Sequence, residues 1–468
     1  MKMKLLYLVV ALFLMVACEP KIDEPTFSAG NADFSKYVAL GNSLTAGYAD
    51  GALYTSAQAN SYPAILADRF AKVGGGAFVQ PVVTNEAGLF AGKRVLGYAT
   101  DCKNVTSLSP ILDSGTPTGI PAGLAPVGYA VNNFGVPGAK AAHLIYPGYG
   151  NPANLVTIPP TANPYFVRFA SAANTSVLAD AMAQAPTFFT LWIGNNDVLG
   201  YALAGGENNL AGEVCTDNAT LTFAFNTLFT TLTSAGAKGA VANVPDITSI
   251  PYFNTVPYNG LYLTAEQAAL LDGAYRQVEL AIQGMGIAGF TYDIHFTAGY
   301  NAFVVEDRDF PYPLPDYLKV RQLKAGELVL LSVPQDAIKC LGMGSFDVTN
   351  SKPYGIPQNY ILDEEEVGKI KATTAAINTI VKDLATAKGL AFVDVAEKLT
   401  MAKTGLVFDG LKLNTKFVTG GLFSLDGVHM NAQGAAIVAN YFIDAINAQY
   451  GASVPKAEVT SYPGIKFP

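Results

Sequence analysis

Residues 37–51, YVALGNSLTAGYADG, decide how the rest of this chain is read. Tyr37 to Leu40 are an apolar run of strand length, and Gly41-Asn42-Ser43-Leu44-Thr45-Ala46-Gly47 is a small-residue turn that opens a helix. Ser43 lies just past the end of the run. Serine is favoured at helix N-termini because its oxygen satisfies free backbone N–H groups. A serine held at a strand-to-helix turn is also placed to act as a nucleophile. The local sequence supports both readings, so the decision falls to residues far away in the chain.

Of the 468 residues, half are hydrophobic, 11% aromatic and 14% charged, which predicts a sizeable core and no extended disorder. A formal net charge of -8, with no long basic run, argues against a nucleic-acid partner. Outward from residue 37, strand-like apolar runs (37–40, 129–133, 188–193, 239–244 and 390–395) alternate with helical patterns (62–73, 221–234, 265–283, 363–387 and 432–450). Such alternation predicts an α/β domain with a mainly parallel central sheet, whose ligands bind beyond the carboxyl ends of the strands. The alternation is interrupted at 80–128, rich in Gly, Pro, Ser and Thr, and at 296–361, rich in aromatics and prolines. Both are expected to be loop-rich insertions around the loop end of the sheet rather than separate domains, with a separate small lobe at 296–361 as the alternative reading.

An activated serine needs a base, a group that orients the base, and donors for an oxyanion. The chain has three histidines. His295 follows a strand-like run and reads as a packed or loop residue, and His143 stands on a helical stretch with no acidic neighbour. His429, in FSLDGVHMNAQG, follows Asp426 by three residues on a loop that precedes an apolar-periodic helix. On such a turn an i, i+3 carboxylate reaches an imidazole nitrogen and fixes its tautomer. Asp-x-x-His alone is a weak motif, and G-x-S-x-G, the mark of α/β-hydrolases, does not occur in the chain.

Four stretches taken together are more specific. ALGNSLTAGYADG resembles the first motif of the SGNH/GDSL hydrolases, VNNFGVPGAKAAHL the second, LWIGNNDVLG the third and LDGVHMNAQG the last, in the family's order and over residues 36–450. The resemblance implies a three-layer, flavodoxin-like sandwich and a serine ester hydrolase of lipase or carboxylesterase type. Ser43 would be the nucleophile, with Asp426 and His429 as its acid and base. The Ser43 amide, the Gly138 amide and the Asn196 side chain would form the oxyanion hole, with no metal or organic cofactor. Taken singly, Gly138 reads rather as a turn glycine and Asn196 as a loop cap, and it is their joint occurrence with Ser43 and the Asp426/His429 pair that favours the functional reading. Asn42 stands where the family usually has aspartate and keeps a short polar side chain for the turn. Pro137 precedes Gly138 and leaves its N–H untouched. Asn195 stands beside Asn196, and Asp197 sets the register. VANVPDITSIP (241–251) resembles the strand and loop that follow in longer members.

The N-terminal MKMKLLYLVVALFLMVAC has two lysines, a short apolar stretch and a cysteine after small residues, followed by the polar EPKIDEP. It resembles a bacterial lipoprotein signal, although Met15 replaces the usual leucine. This implies a signal peptide at 1–17, a lipidated Cys18, a tether at 18–35 and a tail at 451–468. The protein would then be anchored in the bacterial cell envelope by its N-terminal lipid. Of the other cysteines, Cys102 and Cys215 both sit in polar, loop-like stretches and are the expected disulfide pair, with Cys340 left over. The cysteine spacings do not suggest a metal site. Acyl lipids and O-acetylated glycans are the ester classes an envelope offers. The aromatic segments NPYFVRF, SIPYFNTVPYNGLY and DFPYPLPDYL suit stacking on sugars or lining an acyl groove. Trp192, the single tryptophan, is expected to pack a strand. The reading from another class is a non-catalytic surface lipoprotein that binds a glycan or a partner, against which Ser43, Asp426 and His429 together argue.

Overall fold

The apolar run at 37–40 lies inside the principal sheet. The computed structural model describes residues 26–119, 126–208 and 212–468. The signal segment 1–17 and Cys18 lie outside the described residues. Strands β1 (Tyr37–Gly41), β2 (Asn133–Gly135), β3 (Phe188–Trp192), β4 (Lys238–Ala242) and β5 (Ala391–Val393) form a five-stranded parallel sheet in the order β5-β4-β3-β1-β2. The chain is thus mixed α/β, and its other sheets are two-stranded antiparallel pairs. Every residue of β1 and β3 is buried, which is why both read as continuous apolar runs rather than alternating ones. Gly41 aligns with Gly135 of β2 and Trp192 of β3, so three segments leave the sheet at one level. The connections reverse direction at β1, the position where parallel sheets hold ligands. A Cβ at Gly41 would lie 2.5 Å from the Trp192 carbonyl oxygen, so only glycine lets the neighbouring strand approach this closely.

The helices that bear on the site and the core are α1 (Ser43–Ala46), α2 (Tyr62–Ala71), α3 (Asn196–Leu203), α4 (Asn218–Leu232), α5 (Ala265–Gly284), α6 (Glu364–Lys388), α7 (Val395–Thr404) and α8 (Ala432–Tyr450). Helices α2 and α8 pack against each other, as do α4 and α6. Local chemistry sets the ends of the long helices. A capping box of Asp363 and Glu366 starts α6, the Asn431 side chain caps α8, and left-handed Gly389 and Gly451 end them.

Several expectations change. The strand expected at 129–133 is displaced to Asn133–Gly135, because pairing with the end of β1, and not local hydrophobicity, sets its register. Helix α5, expected as one of the helices alternating with the strands, packs away from the sheet. Its Tyr275, Val278 and Ile282 share a buried cluster with Phe290, Tyr292 and Phe346. The disulfide joins Cys102 to Cys340, not to Cys215, which is a free, half-buried thiol. Cys102 lies in the turn of a hairpin (Arg94–Thr100 with Thr106–Leu112), and the turn docks on the helix Gln335–Cys340, where Asp101 also pairs with Lys339 at 3.5 Å. Loop polarity marks which cysteines are accessible to each other in principle, whereas the docking of two distant elements decides which meet.

Part of the stretch expected as a tether is packed: Ala32 and Phe34 are buried, and Phe34 stacks on Phe70 at 4.1 Å. The expected tail also packs, with Val454, Ala457 and Val459 buried and Asn440 exchanging two side-chain hydrogen bonds with Ala457. Among the described residues no helix is long and apolar enough to cross a membrane.

Candidate active site

Asn42, not Ser43, caps helix α1. Its Oδ1 accepts the Leu44 amide at 3.0 Å, and its Nδ2 donates to Asn195 Oδ1 at 3.2 Å, linking the turn after β1 to the turn after β3. A donor is used here that an aspartate at the same position lacks when ionised. Ser43 is the first helical residue, so its side chain is released from capping and its amide belongs to the unsatisfied first turn.

The Ser43 hydroxyl meets His429 Nε2 at 2.8 Å, and His429 Nδ1 meets Asp426 Oδ2 at 2.8 Å. These three residues are brought together from opposite ends of the chain. Asp426 is held by every lone-pair direction it has. Its Oδ1 accepts from the Val428 and His429 amides, both at 2.8 Å, and from Ser424 Oγ at 3.0 Å, while Oδ2 also accepts the Gly51 amide at 2.9 Å. Burial works to raise the Asp426 carboxyl, but the His429 ring and these hydrogen bonds outweigh it and hold the group well below the usual carboxylate range. A charged acid therefore faces His429 Nδ1, which favours the tautomer that presents a bare Nε2 to Ser43. The Tyr48 ring lies tilted against that of His429, with centroids 4.8 Å apart.

The other two histidines are placed elsewhere. His143 accepts the Lys140 amide on Nδ1 at 3.2 Å and lies against Tyr149, and burial followed by the Lys140 charge pushes it down to about 4 despite Glu213. His295 is exposed beside Asp293, at 3.7 Å.

Asn196 opens α3 at the end of β3, and its side chain shares a cavity with Ser43 and His429 while donating one hydrogen to the Ala139 carbonyl at 3.0 Å. Gly138 follows β2 on the loop next to that of Ser43, with φ +81, a conformation glycine adopts without strain. That loop is tied to α3 by the Asn196 bond and by Ala141, whose amide donates to Asp197 Oδ2 at 2.9 Å. Asn163 holds it from the other side through the Pro137 carbonyl, at 2.8 Å. Neither the Ser43 nor the Gly138 amide has an acceptor among the described residues. The loops of Gly138 and Asn196 are thus joined through the Ala139 carbonyl, and with Ser43 these residues follow the carboxyl ends of three adjacent strands, although Gly138 does not itself line the cavity that holds Ser43 and Asn196.

The cavity that holds Ser43, His429, Asn195 and Asn196 leaves about 100 Å³ in which the centre of a water-sized sphere can move. Away from the serine it is lined by α7, α8 and the 245–250 segment, with Ile250, Leu399, Ala402, Ile437 and Val438 among the contacts. Trp192 is a buried strand residue that donates to the Asn243 carbonyl at 3.1 Å, and its ring also borders this cavity. The aromatic side chains of the segments expected around a substrate groove do not line it, although Ile250 of SIPYFNTVPYNGLY does. Phe166, Phe169 and Phe253 pack in the main core, and Phe310 packs on the cluster beside α5. Among the described residues no group of three or more His, Cys, Asp or Glu side chains could hold a metal ion.

The sequence reading missed the part played by Asp50 and Gly51. These form the two-residue turn of a hairpin (Tyr48–Ala49 with Ala52–Leu53), with φ +55 and +84. Asp-Gly between apolar pairs is the signature of such a turn, so the signal was present. Asp50 accepts the Leu425 amide at 2.8 Å and its own amide donates to Ser424 Oγ at 3.0 Å. No family model matches the chain, and no curated protein matches it.

Proposed function

We propose that this protein is a serine hydrolase of carboxylic esters. The observation that carries the reading is the Ser43–His429–Asp426 relay, with 2.8 Å at each step and a carboxylate saturated with donors. In this scheme His429 takes the proton from Ser43 Oγ as the oxygen attacks the ester carbonyl. Asp426 stabilises the imidazolium. The Ser43 and Gly138 amides and the Asn196 side chain receive the oxyanion, and loss of one such donor costs about 10²–10³ in kcat. His429 then protonates the leaving alcohol, and water repeats the sequence on the acyl-enzyme.

The resemblance of the four motifs to the SGNH/GDSL hydrolases adds support, since they fall at the ends of β1, β2 and β3 and on the loop before α8. We read the sheet as the middle layer of a three-layer sandwich, with α2 and α8 on one side and α4 and α6 on the other, and the segments at 80–128 and 296–361 as insertions into it. The lipoprotein-like N-terminus supports a lipid-anchored location in a bacterial cell envelope.

Ser43→Ala tests the proposal. Hydrolysis of p-nitrophenyl butyrate should fall by on the order of 10⁴ or more with the circular dichroism spectrum unchanged, and a fluorophosphonate should label wild type at Ser43 and leave the variant unlabelled. Equal rates for the two proteins would sink the assignment.

A further inference from the structure

We propose that the cavity beside Ser43 is an acyl pocket, and that the substrates are esters of linear aliphatic acids longer than acetate. The inference rests on Ser43 being the nucleophile. Its own basis is the distribution of polarity in the cavity wall. The polar side chains Asn42, Ser43, Asn195, Asn196 and His429 stand at the reacting end. Beyond them the wall is aliphatic and aromatic, and Lys398 is its one charged side chain away from that end. That ammonium is already engaged, over the Tyr441 ring at 5.8 Å and beside Glu397 at 3.4 Å.

An acetyl group would fill only the first few ångströms of this space and leave the remaining apolar wall against water. A sugar would meet almost no free donors or acceptors there, although specific glycan recognition depends on such groups. A flexible alkyl chain matches the wall along its length. Ser43 and Asn196 both border the cavity, so one substituent of a carbonyl carbon bound to Ser43 Oγ is directed along it, and we assign that substituent as the acyl chain. The acyl part is also what remains in place after the alcohol departs, and it therefore gains most from a buried wall. Trp192, Ala402, Ile437 and Val438, each 6% exposed or less, form the buried portion of the lining. Ala402 on α7 and Val438 on α8 are small, so their size sets how much chain fits.

The test uses purified protein and p-nitrophenyl esters from acetate to dodecanoate, with octyl acetate as the reversed arrangement. The value of kcat/KM should rise about threefold to fourfold per added methylene over the first few carbons, as expected for burial of each CH₂, and octanoate should exceed acetate by at least about tenfold. Ala402→Phe and, separately, Val438→Phe should collapse the octanoate-to-acetate ratio. Fluorophosphonate labelling of Ser43 in each variant reports that the site is still assembled, and either variant alone suffices if the other does not fold. A preference for acetate in wild type, a ratio unmoved by a labelled variant, or a chain-length effect confined to the alcohol of octyl acetate overturns the acyl pocket while leaving the nucleophile assignment intact. Absence of both labelling and ester hydrolysis in wild type overturns both.

Discussion

The Gly51 amide donates to Asp426 Oδ2 at 2.9 Å, joining residues 375 positions apart in the chain. The hairpin that follows α1, the helix Ser43 opens, therefore grips the loop that carries Asp426 and His429. Serine and histidine are held in register by the same turn, through Gly51 on Asp426, Asp50 on Leu425, and Ser424 between them.

Removing that grip should misplace the relay without touching it. In Asp50→Ala the Leu425 amide and the Tyr54 hydroxyl lose their acceptor, which should cost about 1–3 kcal/mol of stability. A shift of His429 relative to Ser43 should lower kcat by roughly 10–10² with little change in KM. Urea melts and steady-state kinetics on one ester measure the two effects.

Asp426→Asn keeps the shape but turns one oxygen into an NH₂ group facing existing donors, either the Gly51 amide and His429 or the Val428 and His429 amides. It also removes the charge that selects the His429 tautomer. The expected fall in kcat is about 10⁴. A variant with wild-type kcat would show that Asp426 only shapes the loop.

Acid should act on stability through His143. Its imidazole is pushed from 6.5 down to about 4 in the folded chain, by burial first and Lys140 second, with Glu213 opposing. Between those values the unfolded chain binds the extra proton, so stability rises with pH across the window and is lost as pH falls from about 6.5 to about 4. His143→Phe should melt with a smaller difference between pH 7.5 and pH 5 than wild type does. An unchanged difference would rule out this contribution.

The disulfide should be found by peptide mapping under non-reducing conditions as Cys102 linked to Cys340, with Cys215 open to alkylation after unfolding. The link closes a loop across 238 positions, so Cys102→Ser with Cys340→Ser should lose about 2–4 kcal/mol. The hairpin at 94–112 should become the first segment cut by protease, because Asp101–Lys339 at 3.5 Å is a weak substitute for a covalent tie.

The sequence by itself determined the elements whose signals are local. The runs at 37–40 and 188–193 are buried on both faces and so show as unbroken apolar stretches. Helices α6 and α8 carry their own caps at Asp363 and Asn431. The three-histidine count and the Asp-x-x-His spacing singled out His429, because an i, i+3 pair on a turn meets through local geometry alone. Only the tertiary structure decided what depends on elements docking across hundreds of residues. It moved β2 to Asn133–Gly135 and set α5 in a core apart from the sheet. It paired Cys102 with Cys340 and brought the Asp50–Gly51 turn under Asp426. At Ser43 it showed that Asn42 takes the capping role and that the Ser43 hydroxyl meets His429. The reason is physical. Hydrophobic period and capping are fixed by neighbours along the chain, whereas a strand's register, a disulfide partner and a second-layer hydrogen bond are fixed by whichever surfaces are buried against each other.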